Sequence, residues 1–351
     1  APSDRRKGGS GLDLALAIGI LVAQGKIEQA ATDGIGFVAE LGLDGSLKHV
    51  PGTAPLVAAM RDLHVVVASA AGGDALVAAP RRVAVADALG DVVLGLQRIV
   101  DWREPEFDVA VEEVAATVDM GDVRGQPVAR RAAEVAAAGG HNLLLVGGPG
   151  GGKTMLAERI AGLLPPLDGH DALTATMIRS AAGQRLGGLV RLPPFRAPHH
   201  SASMIAMVGG GSGVVRPGEV SLAHGGVLFL DEVGEFAPSV LDALRQPLES
   251  GEIRLARSGA TLTLPARFLL VGATNPCPCG GGAPGSCVCN DAARQRYLRR
   301  LSGPLLDRFD LRVAVAATSP ADLVDTGPAE STAEMRSRVD AARCIATAAH
   351  L

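Results

Sequence analysis

The stretch Gly147-Gly148-Pro149-Gly150-Gly151-Gly152-Lys153-Thr154 decides the fold of this chain. It fits the pattern G-x-x-x-x-G-K-[ST]. An apolar run at 143–146 precedes it, and residues 155–164, with leucine and isoleucine at helical spacing, follow it. A buried strand, a glycine-rich loop and a helix are the context in which this pattern encloses phosphate groups. Backbone N–H groups and the helix N-terminus would face the phosphates. The sequence therefore predicts an α/β fold with a nucleoside triphosphate site.

The residues of this loop have individual predicted roles. Lys153 would reach the β and γ phosphates, and the hydroxyl of Thr154 would bind Mg²⁺. ATP and Mg²⁺ are therefore the predicted cofactors. The predicted nucleotide contacts are Gly147, Gly148, Pro149, Gly150, Gly151, Gly152, Lys153, Thr154 and Met155.

Polar side chains follow two later apolar runs. The run at 225–230 ends in Asp231 and Glu232, and the run at 268–271 leads to Asn275. In a phosphate-loop fold, the first acid would position Mg²⁺ and the second would polarise the attacking water. Asn275 would lie beside the γ-phosphate and orient that water. Together with Lys153, these side chains form the predicted catalytic set.

Arg308 is open to two interpretations. It lies between Asp307 and Asp310, at the entrance of a predicted strand at 312–316. It would form a local ion pair with a neighbouring acid, or it would project toward the nucleotide of a neighbouring subunit as an arginine finger. The second interpretation makes Arg308 the last of the predicted catalytic residues.

Four cysteines are concentrated after Asn275. Cys277 and Cys279 form one C-x-C pair, and Cys287 and Cys289 form a second after seven intervening residues. Four thiols at compact spacing in a protein that uses ATP indicate a structural Zn²⁺ site. The alternatives are four free thiols, or disulfides formed on oxidation. The fifth cysteine, Cys344, lies in a helical run and is predicted to be a small core residue.

Two segments carry candidate partner contacts. His199 and His200 lie in a loop-rich insertion between Leu192 and Gly218, and adjacent histidines rarely chelate one metal by themselves. Residues 253–264 alternate about a turn at Ser258-Gly259 and predict a hairpin, with Arg254 and Arg257 near its tip. The histidine loop is interpreted as touching a partner, whereas a solvated face is the alternative for the two arginines.

Composition limits the classes of partner. The net charge is −4 and the isoelectric point is near 6.1, so any nucleic-acid contact must be local. The longest early apolar run, residues 14–23, is too short to span a bilayer. We therefore predict no membrane partner. A phosphate loop implies access to ATP, which favours the cytoplasm.

The length of 351 residues favours about two domains. We predict a small α/β domain at 1–100, a linker at 101–121 and an ATPase core at 122–325. Resemblance of the phosphate-loop segment to AAA+ ATPases implies that residues 326–351 are the start of a helical lid. Ser10 near Lys7 has the residue types of a Ser–Lys nucleophile pair. However, three residues of spacing in a glycine-rich loop fix no geometry, so Ser10 is interpreted as a helix cap.

These motifs together resemble a ring-forming AAA+ ATPase of the magnesium-chelatase-like YifB/ComM family. The resemblance rests on 141–156, 195–203, 217–219, 221–232, 275–277 and 301–310. It implies a P-loop AAA+ three-layer α/β/α domain with a helix-2 insert and a pre-sensor hairpin. It also implies that Asn275 is a sensor, that Arg308 acts in trans in a hexameric homo-oligomer, and that His199, His200, Arg254 and Arg257 face DNA in the ring centre.

The first hundred residues resemble, more weakly, the Lon-protease-like domain of this family, a ribosomal S5 domain 2-like fold. Lys7-Gly8-Gly9 matches its glycine loop, but the place of the nucleophile falls at Gly11, and no lysine lies at 51–54. We therefore predict no peptidase activity. The family pattern begins earlier and continues past Leu351 into a lid with a second sensor arginine, so we expect a partial lid here, which leaves ring assembly and turnover open.

Three functions remain in competition. The first is an ATP-driven DNA motor, because the relatives named ComM act in natural transformation by branch migration of recombination intermediates. The second is the ATPase (I-type) subunit of a magnesium chelatase, which acts on a protein partner. The Lon-like domain and the cysteine segment argue against it, since neither is expected in chelatase subunits. The third is a nucleotide-binding scaffold without turnover.

Overall fold

The computed structural model describes residues 9–78, 82–106, 118–184, 186, 188–211, 215–257, 260–281, 287–300, 303–316 and 329–349. They form two compact units: one is drawn from 1–113, 169–191 and 211–217, and the other from 114–168, 192–210 and 218–351. Residues 169–191 thus belong to the first unit, although they lie inside the predicted ATPase core.

Some predictions lie outside the described residues: Lys7, much of the linker, the hairpin tip at Ser258-Gly259 and the boundary at 325–326.

The described helices and strands follow each other in an α/β order. The helices are α1 (Asp13–Ala23), α2 (Thr53–Ala58), α3 (Gly72–Ala78), α4 (Leu89–Leu96), α5 (Pro127–Gly139), α6 (Lys153–Ile160), α7 (Gly169–Ala181), α8 (Met204–Val208), α9 (Glu219–Leu222), α10 (Pro238–Ala243), α11 (Arg245–Ser250), α12 (Asp291–Arg300), α13 (Gly303–Leu306) and α14 (Thr332–Ala349). The strands are β1 (Ile35–Val38), β2 (Glu40–Leu41), β3 (Leu47–Lys48), β4 (His64–Ala68), β5 (Val83–Ala86), β6 (Leu143–Val146), β7 (Phe195–Arg196), β8 (Gly209–Gly210), β9 (Arg216–Pro217), β10 (Val227–Leu230), β11 (Glu252–Arg257), β12 (Ala260–Pro265), β13 (Leu269–Thr274) and β14 (Leu311–Ala314).

The first unit is built on a parallel sheet in the order β1-β4-β5. Strands β4 and β5 consist mainly of valine and alanine, as expected for parallel strands that are covered on both faces. Leu14 and Ile18 of α1 and Val92 of α4 are buried in the same core. The turn at Asp44-Gly45 joins β2 and β3, which pair antiparallel.

A buried polar network holds α7 in the first unit. Ser180 Oγ donates to Asp74 Oδ2 at 2.8 Å and accepts from the backbone N–H of Ala54 at 3.1 Å. His49 Nε2 lies 3.3 Å from the same Asp74 oxygen. Asp74 and Ser180 are 2% and 0% exposed, so each needs its partner in place of water. This network explains why a segment from the middle of the chain packs with the first hundred residues.

Removal of the Ser180 hydroxyl is expected to destabilise the first unit. In Ser180→Ala, the Asp74 carboxylate and the Ala54 N–H each lose a buried partner, which should cost about 1–3 kcal/mol. Urea unfolding combined with hydrogen exchange of α7 measures this loss. Ser250→Ala is the control, since Ser250 is exposed in the second unit and should change stability by less than about 0.5 kcal/mol. An unfolding midpoint of Ser180→Ala equal to that of the control would contradict the assignment.

The second unit has a five-stranded sheet in the order β14-β6-β13-β10-β7, and every pairing in it is parallel. Successive residues of β6 point to opposite faces. Leu143 and Leu145 pack in one core with α5 and α6, and Leu144 packs in a second core with α10. Helices therefore cover both faces, and the predicted three-layer P-loop AAA+ fold is confirmed.

The predicted hairpin and helices are attached to this sheet unit. Strands β11 and β12 pair antiparallel, with Arg254 opposite Thr263. Helix α14, in the region predicted as the start of the lid, packs on α5 through a bidentate ion pair between Arg338 and Glu134 with N–O distances of 2.7 and 2.9 Å. The hydrogen bonds from Arg338 lower the pKa of the Glu134 carboxyl below its usual value. Among the described residues, no helix has both the length and the apolar character to cross a membrane.

Candidate nucleotide-binding and hydrolysis site

The glycine-rich loop connects the end of β6 to the start of α6. Gly150 and Gly152 have φ angles of +75° and +79°, a region that side chains other than glycine rarely adopt. At Gly147, a Cβ atom would lie 2.2 Å from the carbonyl oxygen of Val315. Glycine is therefore required at these positions by backbone conformation or by space, and the loop can turn its N–H groups toward one centre.

Lys153 is held inside this loop. Its ammonium group donates to the carbonyl oxygens of Gly147 and Gly148 at 2.8 and 2.9 Å and to Asn275 Oδ1 at 3.2 Å. Burial lowers the pKa of Lys153, and the charges of Asp231 and Glu232 partly oppose this shift. The lysine and the predicted sensor amide are thus in direct contact, although 122 residues separate them.

Thr154 and Asp231 also meet. The Thr154 hydroxyl donates to Asp231 Oδ2 at 2.8 Å, and the other carboxylate oxygen accepts from the Glu232 N–H at 2.9 Å. A hydroxyl and a carboxylate at the phosphate loop are the oxygen ligands with which Mg²⁺ is held in P-loop proteins. The two predicted magnesium ligands therefore lie close enough to bind one ion.

Glu232 has an unusual backbone for its residue type. Its φ and ψ angles are both 51°, in the left-handed region that costs about 1–3 kcal/mol for a residue other than glycine. Glu232 Oε2 lies 3.7 Å from Nδ1 of His200, whose ring contacts that of His199 at a centroid distance of 4.0 Å and an interplanar angle of 35°. The sequence predicted roles for these residues separately and did not predict this contact.

The predicted side chains of Lys153, Thr154, Asp231, Glu232 and Asn275 line one cavity of about 440 Å³. Sequence reasoning missed Thr274, which ends β13 next to Asn275 and hydrogen-bonds through its hydroxyl to Tyr297 at 3.0 Å. It also missed a role for Gln126, whose amide donates to the carbonyl oxygens of Gly151 and Ala316. Position at the end of a strand was the available signal for Thr274. The lining residues are Pro149, Gly150, Gly151, Gly152, Lys153, Thr154, Met155, Asp231, Glu232, Thr274 and Asn275.

Comparisons with known proteins identify the family of this chain. The family described as "Magnesium chelatase, subunit ChlI" matches residues 119–323, and one described as "Subunit ChlI of Mg-chelatase" matches residues 1–70. The competence protein ComM of Haemophilus influenzae is 43% identical over 349 residues, which are 97% of this chain and 68% of that protein. This chain belongs to the YifB/ComM family of magnesium-chelatase-like AAA+ ATPases.

Other YifB/ComM relatives match over the same extent. YifB of Escherichia coli is 44% identical over 347 residues, 98% of this chain and 68% of that protein. An uncharacterized protein of Mycobacterium tuberculosis is 45% identical over 356 residues, 98% of this chain and 69% of the relative. The similarity therefore includes the first unit as well as the AAA+ unit.

Arg308 does not line the cavity of this YifB/ComM-family chain. Its guanidinium group forms an ion pair with Glu249, and both side chains are partly exposed. Asn142 fixes the backbone nearby, because its amide donates to the Arg308 carbonyl oxygen at 2.8 Å. An ion pair is thus present, but its partner is Glu249, 59 residues earlier in the chain, and not one of the acids next to Arg308. A role at a neighbouring subunit's nucleotide remains a prediction.

The predicted DNA-facing residues are on the surface of the AAA+ unit where the structure describes them. His199 and Arg254 are both exposed. The guanidinium group of Arg254 lies 3.8 Å from the carboxylate of Glu252 in the same strand. The backbone of Arg257 belongs to β11, but its side chain lies outside the described residues. Their arrangement is compatible with contact to a partner.

The four clustered cysteines come together, and the fifth does not follow its prediction. The Sγ atoms of Cys277, Cys279, Cys287 and Cys289 all lie within 4.8 Å of one another. Cys344 was predicted to be a core residue, and this was wrong, because it is exposed. On α14 the buried positions are Met335 and Val339, so the next position on that face is 343, and Cys344 lies one residue past it.

Proposed function

We propose that this chain is the ATP-hydrolysing subunit of a ring motor that acts on DNA. The observation that carries the proposal is the convergence of Lys153, the Thr154–Asp231 pair and Glu232 in one cavity at the carboxyl ends of β6 and β10. A site that only bound nucleotide would need the loop and the lysine. The additional carboxylate of Glu232, which lines the same cavity, supports hydrolysis.

Each side chain has a task in the proposed reaction. The loop N–H groups and Lys153 bind the phosphate chain and bear its negative charge. Thr154 and Asp231 would hold Mg²⁺, which would supply positive charge beside the phosphate chain. Glu232 accepts a proton from the attacking water, and Asn275 orients that water in line with the γ-phosphate. Lys153 and Asn275 are already in contact, so these two groups are positioned together.

The site is proposed to be completed by a second copy of the chain. Arg308 lies outside the cavity and is held by Glu249 at an exposed position. A side chain so placed is available to a nucleotide on another subunit. We therefore propose a homo-oligomeric ring, with six subunits by resemblance to the family, and a cytoplasmic location where ATP is available.

DNA is the proposed partner because the loop of His199 and His200, which is the candidate DNA contact, lies beside Glu232, the proposed catalytic carboxylate. His200 lies 3.7 Å from Glu232, so a ligand that displaces the His199–His200 loop would change the surroundings of that carboxylate. The exposed Arg254 on the hairpin offers a second contact of positive charge. The relative named as a competence protein supports DNA as the ligand, with branched recombination intermediates as the proposed substrate.

Branched DNA is therefore expected to bind the full chain and to raise its rate of ATP hydrolysis. In Arg254→Ala, the slope of log affinity against log salt should become shallower by about 0.9, because one phosphate contact is lost. Fluorescence anisotropy with a four-way junction at several salt concentrations measures this slope. Arg61→Ala is the matched control, since it removes an exposed arginine of the first unit. Absence of both binding and stimulation would exclude the DNA motor.

A magnesium-chelatase role remains the second candidate because both matching families carry that description. It predicts ATP turnover that responds to a protein partner and is indifferent to DNA. A nucleotide-binding scaffold predicts ATP binding without turnover under any condition. The same hydrolysis assay, with and without branched DNA, therefore distinguishes all three functions. A Zn²⁺ ion at the four cysteines would be structural and would take no part in hydrolysis.

A further inference from the structure

The cysteine cluster has the dimensions of a metal site. Cys277 Sγ lies 3.4 Å from Cys279 Sγ and 3.5 Å from Cys287 Sγ, and the Sγ atoms of Cys279 and Cys287 are 3.6 Å apart. Cys289 Sγ lies within 4.8 Å of the others. In tetrahedral Zn²⁺ coordination the Zn–S distance is about 2.3 Å, which places neighbouring sulfurs about 3.8 Å apart. The four thiols are therefore close enough to one another to serve as ligands of a single ion.

The same spacing does not fit disulfides. Sulfurs in a disulfide are about 2.05 Å apart, and each observed separation is far longer. Three of the thiols are also mutually close, whereas a disulfide joins sulfurs in pairs. Arg294 of α12 hydrogen-bonds to Cys287 and would offset part of the negative charge of four zinc-bound thiolates. Geometry and charge both favour a bound cation.

The cluster lies against the phosphate loop. Cys277 is 2% exposed and follows Asn275 by two residues, so the first ligand is anchored next to the predicted sensor. The chain then turns, with the Gly280 N–H donating to the Cys277 carbonyl oxygen at 3.0 Å. At Gly280, a Cβ atom would lie 2.6 Å from Cδ of Pro149, and at Gly148 a Cβ atom would lie 3.1 Å from the Gly280 carbonyl oxygen. The turn at Gly280 therefore packs directly against Gly148 and Pro149 of the nucleotide loop.

We propose that the four cysteines bind one structural Zn²⁺ ion and that the zinc-bound segment holds the phosphate loop in its nucleotide-binding conformation. The second half of this proposal rests on the proposed ATPase function, whereas the first half does not. The ion cross-links the two C-x-C pairs, which fixes the Cys277–Gly280 turn against Pro149. Without the ion, that turn is free to move, and part of the nucleotide affinity is spent on ordering the loop.

Metal content tests the site independently of ATP. Protein purified under reducing conditions should contain one zinc per chain by elemental analysis. Replacement by Co²⁺ should produce the thiolate charge-transfer and visible bands of tetrahedral sulfur ligation. Cys277→Ser/Cys289→Ser should lose the metal, and Cys344→Ser, which removes the exposed cysteine outside the cluster, should retain it. Metal-free protein in which all five thiols titrate, or zinc retained in the double variant, would overturn the site.

Nucleotide affinity tests the coupling. Zinc is removed from the full wild-type chain with an organomercurial and a chelator, and binding of a fluorescent ATP analogue is measured before removal, after it and after zinc is restored. Affinity should fall by about tenfold, which equals about 1.4 kcal/mol, and should recover with zinc. Gly280→Ala, which leaves every cysteine in place, should weaken nucleotide binding while one zinc remains bound. Unchanged affinity of zinc-free protein would overturn the coupling, and this result would leave the proposed hydrolysis intact.

Discussion

The Glu232→Gln variant is expected to bind ATP with nearly unchanged affinity and to hydrolyse it about 10²–10⁴-fold more slowly. Glutamine has the same size and shape, so the left-handed backbone at this position and the contact with His200 can persist. An amide cannot accept the proton of the attacking water, and this is the single property that the substitution removes. A fluorescent ATP analogue measures binding, and release of phosphate measures turnover.

Glu235→Gln is the matched control for this variant. It makes the same chemical change three residues later, in an exposed side chain that does not line the cavity. Its turnover should stay within about twofold of wild type, since a surface substitution away from the site changes little. If Glu232→Gln hydrolyses ATP as fast as this control, Glu232 is not the catalytic acceptor, and His200 and Asn275 become the polar groups to examine.

The Arg308→Ala variant is expected to lose about 10³–10⁵-fold in turnover while it retains ATP binding. The physical reason is that a guanidinium group on a neighbouring subunit stabilises the charge of the transition state, and Arg308 is exposed and outside its own subunit's cavity. The sharpest measurement is the ATP turnover of rings in which the Arg308→Ala and Glu232→Gln variants are mixed. Arg308→Ala and Glu232→Gln subunits are each inactive alone, but a mixed ring contains interfaces that combine an intact Glu232 with an intact Arg308.

The ion pair with Glu249 requires its own control. Glu249→Ala breaks the same ion pair as Arg308→Ala but leaves the arginine available to a neighbour. An exposed ion pair contributes only about 0–1 kcal/mol, so this variant should assemble and turn over ATP at nearly the normal rate. No recovery of activity in the mixed ring, or an equal loss in Glu249→Ala, would assign Arg308 to the local ion pair alone.

The phosphate loop and the acidic residues were predictable because their signals are local. Glycines at 147–152 determine which backbone conformations the loop can adopt, and an apolar run on either side defines the strand and the helix. Parallel strands in this fold end at the same edge of the sheet, so Asp231, Glu232 and Asn275 were placed together without coordinates. The C-x-C spacing of the cysteines likewise predicted a cluster of thiols.

The wrong and missing predictions have two causes, which are the choice of a helix face and the presence of neighbours that are far away in sequence. Cys344 shares a helix with buried residues, and a shift of one residue changes the face on which a side chain lies. The interaction of Ser180 with Asp74 spans 106 residues, and neither side chain belongs to a recognisable motif. Such a pair is found only when the packing of α7 is known.

The sequence by itself determined the AAA+ phosphate-loop fold, the predicted magnesium and water residues and the cysteine cluster, because these depend on residue types at short spacing. Only the tertiary structure decided that residues 169–191 pack with the first unit, that His200 lies beside Glu232 and that Gly280 lies against Pro149. Each of these contacts joins segments through close packing of side chains and backbone. The periodicity of one segment carries no information about which distant atoms fill the space next to it.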